Sequence, residues 1–306
     1  MHAVVLVSGG AAVTPFTTPD AAATHGLAAG NTMTALRERL LGGGHTVFTA
    51  PARVGPGEVS EDTGWQGFSA VPEVLSADVT MNAVGRIDDA GVALARFLML
   101  LQERHDVDSV DLVGHSMGGL FSRAAIREIR HGDGPVPRRL VTLGTPWTGA
   151  LLGDVTDGAL SPADAGDDEG TRHILERSVD YARANSQGAA EEVSERYLAG
   201  EDGWNRRQRG VLDGIPVTLV VGTHFSAHAE PESLWPHDGL VSRRSARADL
   251  VDAAVLPDRV VHEFLDVHSI FFADAFGLDW ARALTWDPDV VEVVDAALAA
   301  ALPSPQ

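Results

Sequence analysis

Residues 109–119 read Ser109-Val110-Asp111-Leu112-Val113-Gly114-His115-Ser116-Met117-Gly118-Gly119, an apolar run that ends at a serine with glycines two positions before and two positions after it. A short apolar run closed by turn residues reads as a buried strand. Leu120, Phe121, Ala124, Ala125 and Ile129 then recur at helical spacing, so the chain passes sharply from strand to helix at Ser116. Such a turn strains the serine backbone and leaves no room for side chains beside it, which makes Gly114 and Gly118 steric requirements. The first turn of the helix also directs unpaired backbone N–H groups and a positive dipole end toward the serine. The bland alternative, an ordinary serine in a Gly-rich turn, does not account for the strand before it and the helix after it.

Other apolar runs bounded by Gly, Pro or Asp occur at 3–7, 45–50, 139–143, 216–222 and 259–265, and these predict further buried parallel strands. Helical patterns at 31–42, 86–104, 117–131 and 288–302 lie between or after them. Strands alternating with helices imply a doubly wound, mostly parallel α/β sheet. Ligands of such sheets bind beyond the carboxyl ends of the strands. Gly10, Ser116, Asp238 and His268 all follow strands, which puts them on that one edge. Two stretches break the alternation. Residues 51–80, with Trp65 and Phe68, predict a long ordered loop near the mouth of the site. Residues 147–210 carry two acidic helical patterns joined by Gly- and Asp-rich segments, and are expected to form a helical cap that buries little apolar surface, the alternative being a solvated excursion. Residues 1–146 and 211–306 would then form one domain. The Pro-Ser-Pro tail at 303–305 is the one low-complexity tract.

Bulk chemistry narrows the choices. The 306 residues carry 23 basic and 43 acidic side chains, a net charge of −20, with neither lysine nor cysteine. Lysine Schiff bases, a Ser-Lys dyad, disulfides and thiolate metal sites are excluded. An acidic surface repels nucleic acid and anionic membranes, so neither a nucleic-acid partner nor a stable membrane anchor is expected. No signal-peptide pattern precedes the strand at Ala3 to Val7, which predicts a cytoplasmic chain; a trimmed secreted enzyme would read the same way.

A serine needs a base within hydrogen-bond reach, and the base needs a partner to fix its tautomer. Among twelve histidines, His268 stands just past the last strand in a loop, whereas His262 lies inside the strand. Asp238 follows a strand through a loop, and Gly239 beside it suits a tight turn; Asp213, Asp249 and Asp252 are the weaker rivals. His224, His228, His237 and Asp238 fall close together, but the prolines around them argue for a loop and against a metal site, and no cofactor is expected.

Together these segments resemble serine esterases and lipases of the α/β-hydrolase fold. Val4 to Val7 with Ser8-Gly9-Gly10 resembles the first core strand and oxyanion loop, Leu143-Gly144-Thr145-Pro146 a lipase segment after the next strand, and Asp238-Gly239-Leu240-Val241 the acid loop. The resemblance implies Ser116 as nucleophile, Asp238 as acid and His268 as base. It also implies an oxyanion hole of the Gly10 and Met117 amides, with Ala11 an alternative donor. Two positions depart from the family pattern, Ser8 where a histidine is usual and Trp147 where a histidine often follows Thr-Pro. Trp147 would wall the acyl pocket or pack as core under the cap, and His115 would sit beside it at the elbow. The activity implied is hydrolysis of hydrophobic or lipid-like carboxylic esters through an acyl-enzyme. A thioesterase, acyltransferase or cyclase using the same acyl-enzyme is the alternative, and an inactive hydrolase-fold binding protein is a third reading.

Overall fold

The computed structural model describes residues 1–11, 33–60, 74–130, 132, 134–184 and 188–302. Its centre is a six-stranded sheet. The strands are β1 (His2–Val7), β2 (Val47–Thr49), β3 (Ser109–His115), β4 (Val136–Leu143), β5 (Val217–Gly222) and β6 (Arg259–Phe264), in the order β6-β5-β4-β3-β1-β2. Every neighbouring pair is parallel. The chain runs from β1 outward to β2, then returns to place β3 on the other side of β1. The order therefore reverses between β1 and β3, and a crevice opens there at the carboxyl ends of the strands.

Both faces of the sheet are covered, and strand alternation decides which side chain goes where. Ala3, Val5 and Val7 of β1 face one core with Val110 and Leu112 of β3. There they meet α2 (Ile87–His105) and α3 (Gly118–Ile129). Val4 and Leu6 face the other core with Val113, Val141 and Leu143. That face is closed by α1 (Thr34–Gly42), through Leu36 and Leu40, and by α10 (Pro288–Ala299), through Val290, Val294 and Leu298. Each fully buried aliphatic side chain contributes about 1.5–3 kcal/mol, which makes these two layers the main source of stability.

Residues 147–210 form a run of short helices: α4 (Leu151–Thr156), α5 (Glu169–Ala184), α6 (Ala189–Glu192) and α7 (Glu195–Ala199), with 3₁₀ turns at Pro162–Ala165 and Trp204–Gln208. Two further helices, α8 (Arg243–Ala246) and α9 (Ile270–Ala275), flank β6. The expectation was that 147–210 buries little apolar surface by itself, and much of what its helices pack against comes from outside the segment. Leu151, Leu160, Ile174 and Leu175 form a third core with Phe225, Trp235, Val267 and Ile270 from the loops beyond β5 and β6. The far end of the segment is fixed by a buried cation. Arg123 of α3 lies between the rings of Trp147 and Trp204, at 4.4 and 4.7 Å from their centroids, and donates to Asn205 Oδ1 at 2.8 Å. Sandwiching between two indoles partly replaces the water that burial removes from the guanidinium.

Part of the expected loop at 51–80, Trp65 and Phe68 included, lies outside the described residues, as does the 303–305 tail. Its described part is more regular than its composition suggests. Ala52–Arg53 pairs in parallel with Met81–Asn82, and Val59–Ser60 pairs antiparallel with Val74–Leu75.

Candidate active site

Ser116 directly follows β3 with φ at +55°, a left-handed conformation rare for a residue with a side chain. Its amide donates to Leu143 O at 2.9 Å, and Thr145 Oγ1 donates to its carbonyl at 2.8 Å, so the β4 terminus holds the strained residue from both sides. The flanking glycines are required by contact. A Cβ on Gly118 would lie 2.0 Å from Val7 O, and one on Gly114 would lie 2.5 Å from Gly119 N. Gly9 belongs to the same constraint, since its Cβ would come within 2.5 Å of Ser116 Cβ. The loop after β1 is thus pressed onto the elbow.

That loop offers backbone donors. Among the described residues the Gly10 and Met117 amides make no hydrogen bond, whereas the Ala11 amide donates to Ala83 O at 3.1 Å. Ala11 is thereby spent, which leaves Gly10 and Met117 as the pair able to meet charge on an oxygen bound at Ser116. Ser8 is fully buried, and its hydroxyl is without a hydrogen-bond partner among the described residues.

Beyond β5 and β6 a carboxylate and an imidazole meet. His268 Nδ1 donates to Asp238 Oδ2 at 2.7 Å, with both side chains buried. Asp238 Oδ1 accepts from the amides of Leu240 at 2.9 Å and Val241 at 2.8 Å, an Asx turn that leaves the carboxylate no freedom to rotate. The His268 amide donates to Asp238 O at 2.8 Å, which ties the two loops through the backbone as well. With the Nδ1 proton held by Asp238, Nε2 is the acceptor nitrogen; it is buried and makes no hydrogen bond among the described residues. Gly144, φ +56°, joins the pair to the elbow. Its amide bonds Val220 O, its neighbour Leu143 holds Ser116, and a Cβ there would sit 2.9 Å from Asp238 Oδ2 and 3.0 Å from His268 Nδ1.

The rivals lie elsewhere. Asp249 pairs with Arg247 and Arg259, and Asp252 pairs with Arg209, all on the surface. His262 stays in β6, half-buried opposite Val220. His237 uses both ring nitrogens, Nδ1 accepting from the Gly239 amide at 3.1 Å and Nε2 meeting Thr171 Oγ1 at 3.0 Å. Burial pushes it down to about 4, so the ring is neutral. No group of three or more His, Asp or Glu side chains among the described residues is arranged to hold a metal ion.

A cavity of about 430 Å³ opens above Ser116, bounded by Gly10 and Met117 at the elbow, Leu152 and Ile174 from the inserted helices, and Phe271 and Phe272 after His268. Of the two candidate pocket residues, Trp147 takes the second of its two expected places, as core, and His115 is corrected, neither lining the cavity. Trp147 is fully buried; its ring stacks on Arg123 and its Nε1 donates to Thr142 Oγ1 at 3.3 Å. His115 is also core: its Nε2–H donates to His268 O at 2.9 Å, and burial pushes it down to about 3. A neutral His115 therefore supports the loop bearing His268 rather than touching a ligand. Gly144 and the Leu240 and Val241 amides carry no chemistry of their own, and only their place beside Asp238 reveals them.

The same three residue types also meet at the opposite edge of the sheet. His2 lies 3.0 Å from both Ser109 Oγ and Asp111 Oδ2, but Ser109 opens β3 in regular strand backbone and Asp111 is paired with Arg139. A triad is defined by its geometry and its oxyanion donors, not by its composition.

Residues 86–158, from the start of α2 through α4, match the family model described as the PGAP1-like alpha/beta domain. No curated protein sequence matches the chain. Among solved structures, the chain is similar to the Bacillus licheniformis lipase BlEst2 in its propeptide form, with a TM-score of 0.53 and 14% identity over 99% of this chain and 51% of that one. It spans about half the length of that lipase chain. A gene product of Listeria innocua matches with a TM-score of 0.49 and 16% identity over 99% and 95% of the two chains. A Pyrococcus furiosus esterase matches with a TM-score of 0.48 and 14% identity over 97% and 80%. The parallel sheet, the strand order reversing at β1, and the likeness to the first of these lead to one conclusion: this chain has the α/β-hydrolase fold.

Proposed function

We propose that the chain is a serine hydrolase of carboxylic esters with hydrophobic acyl groups, with Ser116 as nucleophile, His268 as base and Asp238 as acid. The observation that carries this reading is the buried 2.7 Å His268–Asp238 pair, joined through Gly144 to a serine held at positive φ on the floor of an apolar cavity. In the reaction His268 Nε2 takes the Ser116 hydroxyl proton as Oγ bonds to the ester carbonyl carbon, and the carbonyl π pair moves onto oxygen. The Gly10 and Met117 amides stabilise that oxyanion. Collapse breaks the bond to the alcohol oxygen, which leaves with the proton from Nε2. Water then repeats the sequence on the acyl-enzyme and releases the acid.

Residues 147–210 act in this reading as a cap over the site, a role supported by Leu152, Ile174 and Tyr181 lining the cavity. The fold alone does not establish activity, since the same scaffold carries many functions. The test is labelling with a fluorophosphonate, which requires an activated serine, together with turnover of chromogenic esters from acetate to palmitate. Wild type labels and turns over. Ser116→Ala loses labelling and about a million-fold of kcat while keeping the wild-type circular dichroism spectrum. Retention of more than a tenth of the activity by a folded Ser116→Ala protein refutes the assignment.

A further inference from the structure

The cavity above Ser116 runs against the charge of the molecule. The chain has 43 acidic and 23 basic residues, yet no Asp or Glu stands among the described lining residues, which include Arg177 and, one turn before it, His173. Both lie on α5, one turn apart, with Tyr181 a further turn along. Positions four apart share a helix face, so these side chains form one stripe at the mouth. Beneath them the buried Ile174 and Ser178 line the same cavity, and the Ser178 hydroxyl is spent on Ile174 O at 3.0 Å.

Arg177 differs from most arginines here. Arg183, on the same helix, pairs with Asp180, and Arg86, Arg196, Arg209, Arg243 and Arg244 each pair with an acid. Among the described residues Arg177 has no such partner, although it lies in a chain with a surplus of carboxylates. Its helix is also held in place. The buried Thr171 hydroxyl of α5 meets His237 Nε2, one residue from Asp238, so the α5 stripe is registered against the acid loop. Arg177 is exposed where it lines the cavity, and a guanidinium beside an apolar wall is a receptor for a carboxylate or phosphate because its planar donors match their oxygens, in a contact that solvent and salt screen.

We propose that Arg177, supported by His173, binds an anionic group carried by the ester substrate. The preferred substrate is thus an amphiphile whose apolar segment fills the cavity while a carboxylate or phosphate sits at its mouth. This rests on Ser116 being the nucleophile, and the experiment separates the two claims.

The experiment compares kcat/KM for matched chromogenic esters. The neutral reference is the 4-nitrophenyl ester of adipic acid monomethyl ester. The anionic arms are 4-nitrophenyl hydrogen adipate, its ω-phosphonate analogue and, with the charge on the alcohol side, 4-carboxyphenyl butyrate against its methyl ester. Wild type is expected to favour at least one anionic ester about tenfold, equivalent to about 1.4 kcal/mol, and the favoured arm identifies the group and the side of the ester that bears it. The anionic-to-neutral ratio falls to about one in Arg177→Gln, inverts in Arg177→Glu, and shrinks as salt is raised because screening weakens the contact. Arg183→Gln, on the same helix, keeps the wild-type ratio. Failure of wild type to hydrolyse any ester overturns the nucleophile assignment. Turnover of neutral esters with no anionic preference in any arm, or a preference that survives Arg177→Gln, overturns the role of Arg177.

Discussion

Replacing Gly144 with alanine tests whether the Asp238–His268 pair is held in place by the β4 terminus. The new Cβ would stand 2.9 Å from Asp238 Oδ2, 3.0 Å from His268 Nδ1 and 3.0 Å from Leu284 Cδ1. Ordinary van der Waals contact begins at 3.4 Å, so the pair must retreat by up to about half an ångström, while the positive φ at 144 adds about 1–2 kcal/mol of backbone strain. Overpacking of a tight core costs about 1–3 kcal/mol more. Because a misplacement of about 1 Å can cost a hundredfold in rate, Gly144→Ala is expected to lower kcat about 10- to 100-fold. Gly214→Ala separates the two effects. Gly214 also has positive φ, at +74°, but nothing lies within 4 Å of its Cβ position. That variant shares the strain without the displacement, and is expected to lose about 1 kcal/mol of stability and little activity. Thermal unfolding, ester kinetics and the downfield NMR signal of the His268 Nδ1 proton supply the readouts. If Gly144→Ala retains kcat within threefold of wild type, or loses no more than Gly214→Ala, the close packing of the pair does not matter for the chemistry.

Other outcomes follow from the same geometry. Asp238→Asn is expected to cost up to about ten-thousand-fold in kcat, because an amide nitrogen facing Nδ1 favours the wrong tautomer; a mild Asp238→Asn beside a crippling Asp249→Asn would move the acid elsewhere. Asp266 is pushed up to about 8, first by burial and then by Asp287 beside it, and Asp154 is pushed up to about 7 by burial. A carboxyl whose folded pKa is raised holds a proton that the unfolded chain has lost, so its contribution falls as pH rises from about 4 to the folded value. The neutral buried His115 and His237 work in the opposite sense, adding stability as pH rises toward about 6.5. The melting temperature is therefore expected to fall between pH 7 and 8, and Asp266→Asn to flatten that decline; an unchanged slope in the variant refutes the assignment. Limited proteolysis should cut first between 157 and 168, where Gly158, Ala159, Ser161 and Asp164 are exposed, and a covalent Ser116 inhibitor should slow the cut. A first cut elsewhere, indifferent to inhibitor, would separate this segment from the site.

Much of the architecture was legible locally. Six apolar runs became the six strands of the sheet, although the run at 259–265, expected as a buried strand, forms the exposed edge strand β6 with Val260 57% exposed, and the helices at 87–105, 118–129 and 288–299 followed from their periodicity. The turn at Ser116 could be read from spacing, because backbone a few residues on, at Gly118 and Gly119, demands Gly114, whereas Gly118 is demanded by Val7 and Ser8 of the distant first strand and its loop. Other properties depend on contacts between residues distant in sequence. Trp147 has the same local sequence whether it lines the cavity or packs as core, where Arg123 lies between it and Trp204. Acidic composition suggested a thinly packed segment at 147–210, yet Leu151, Ile174 and Leu175 find their partners beyond β5 and β6. Gly144 looks like any turn glycine until Asp238 and His268, well separated from it along the chain, close against it. Residue identity and short-range sterics determined the elements and the strained serine. Long-range packing decided which side chains meet above it, because that depends on the order in which parallel strands pair and on where their loops return.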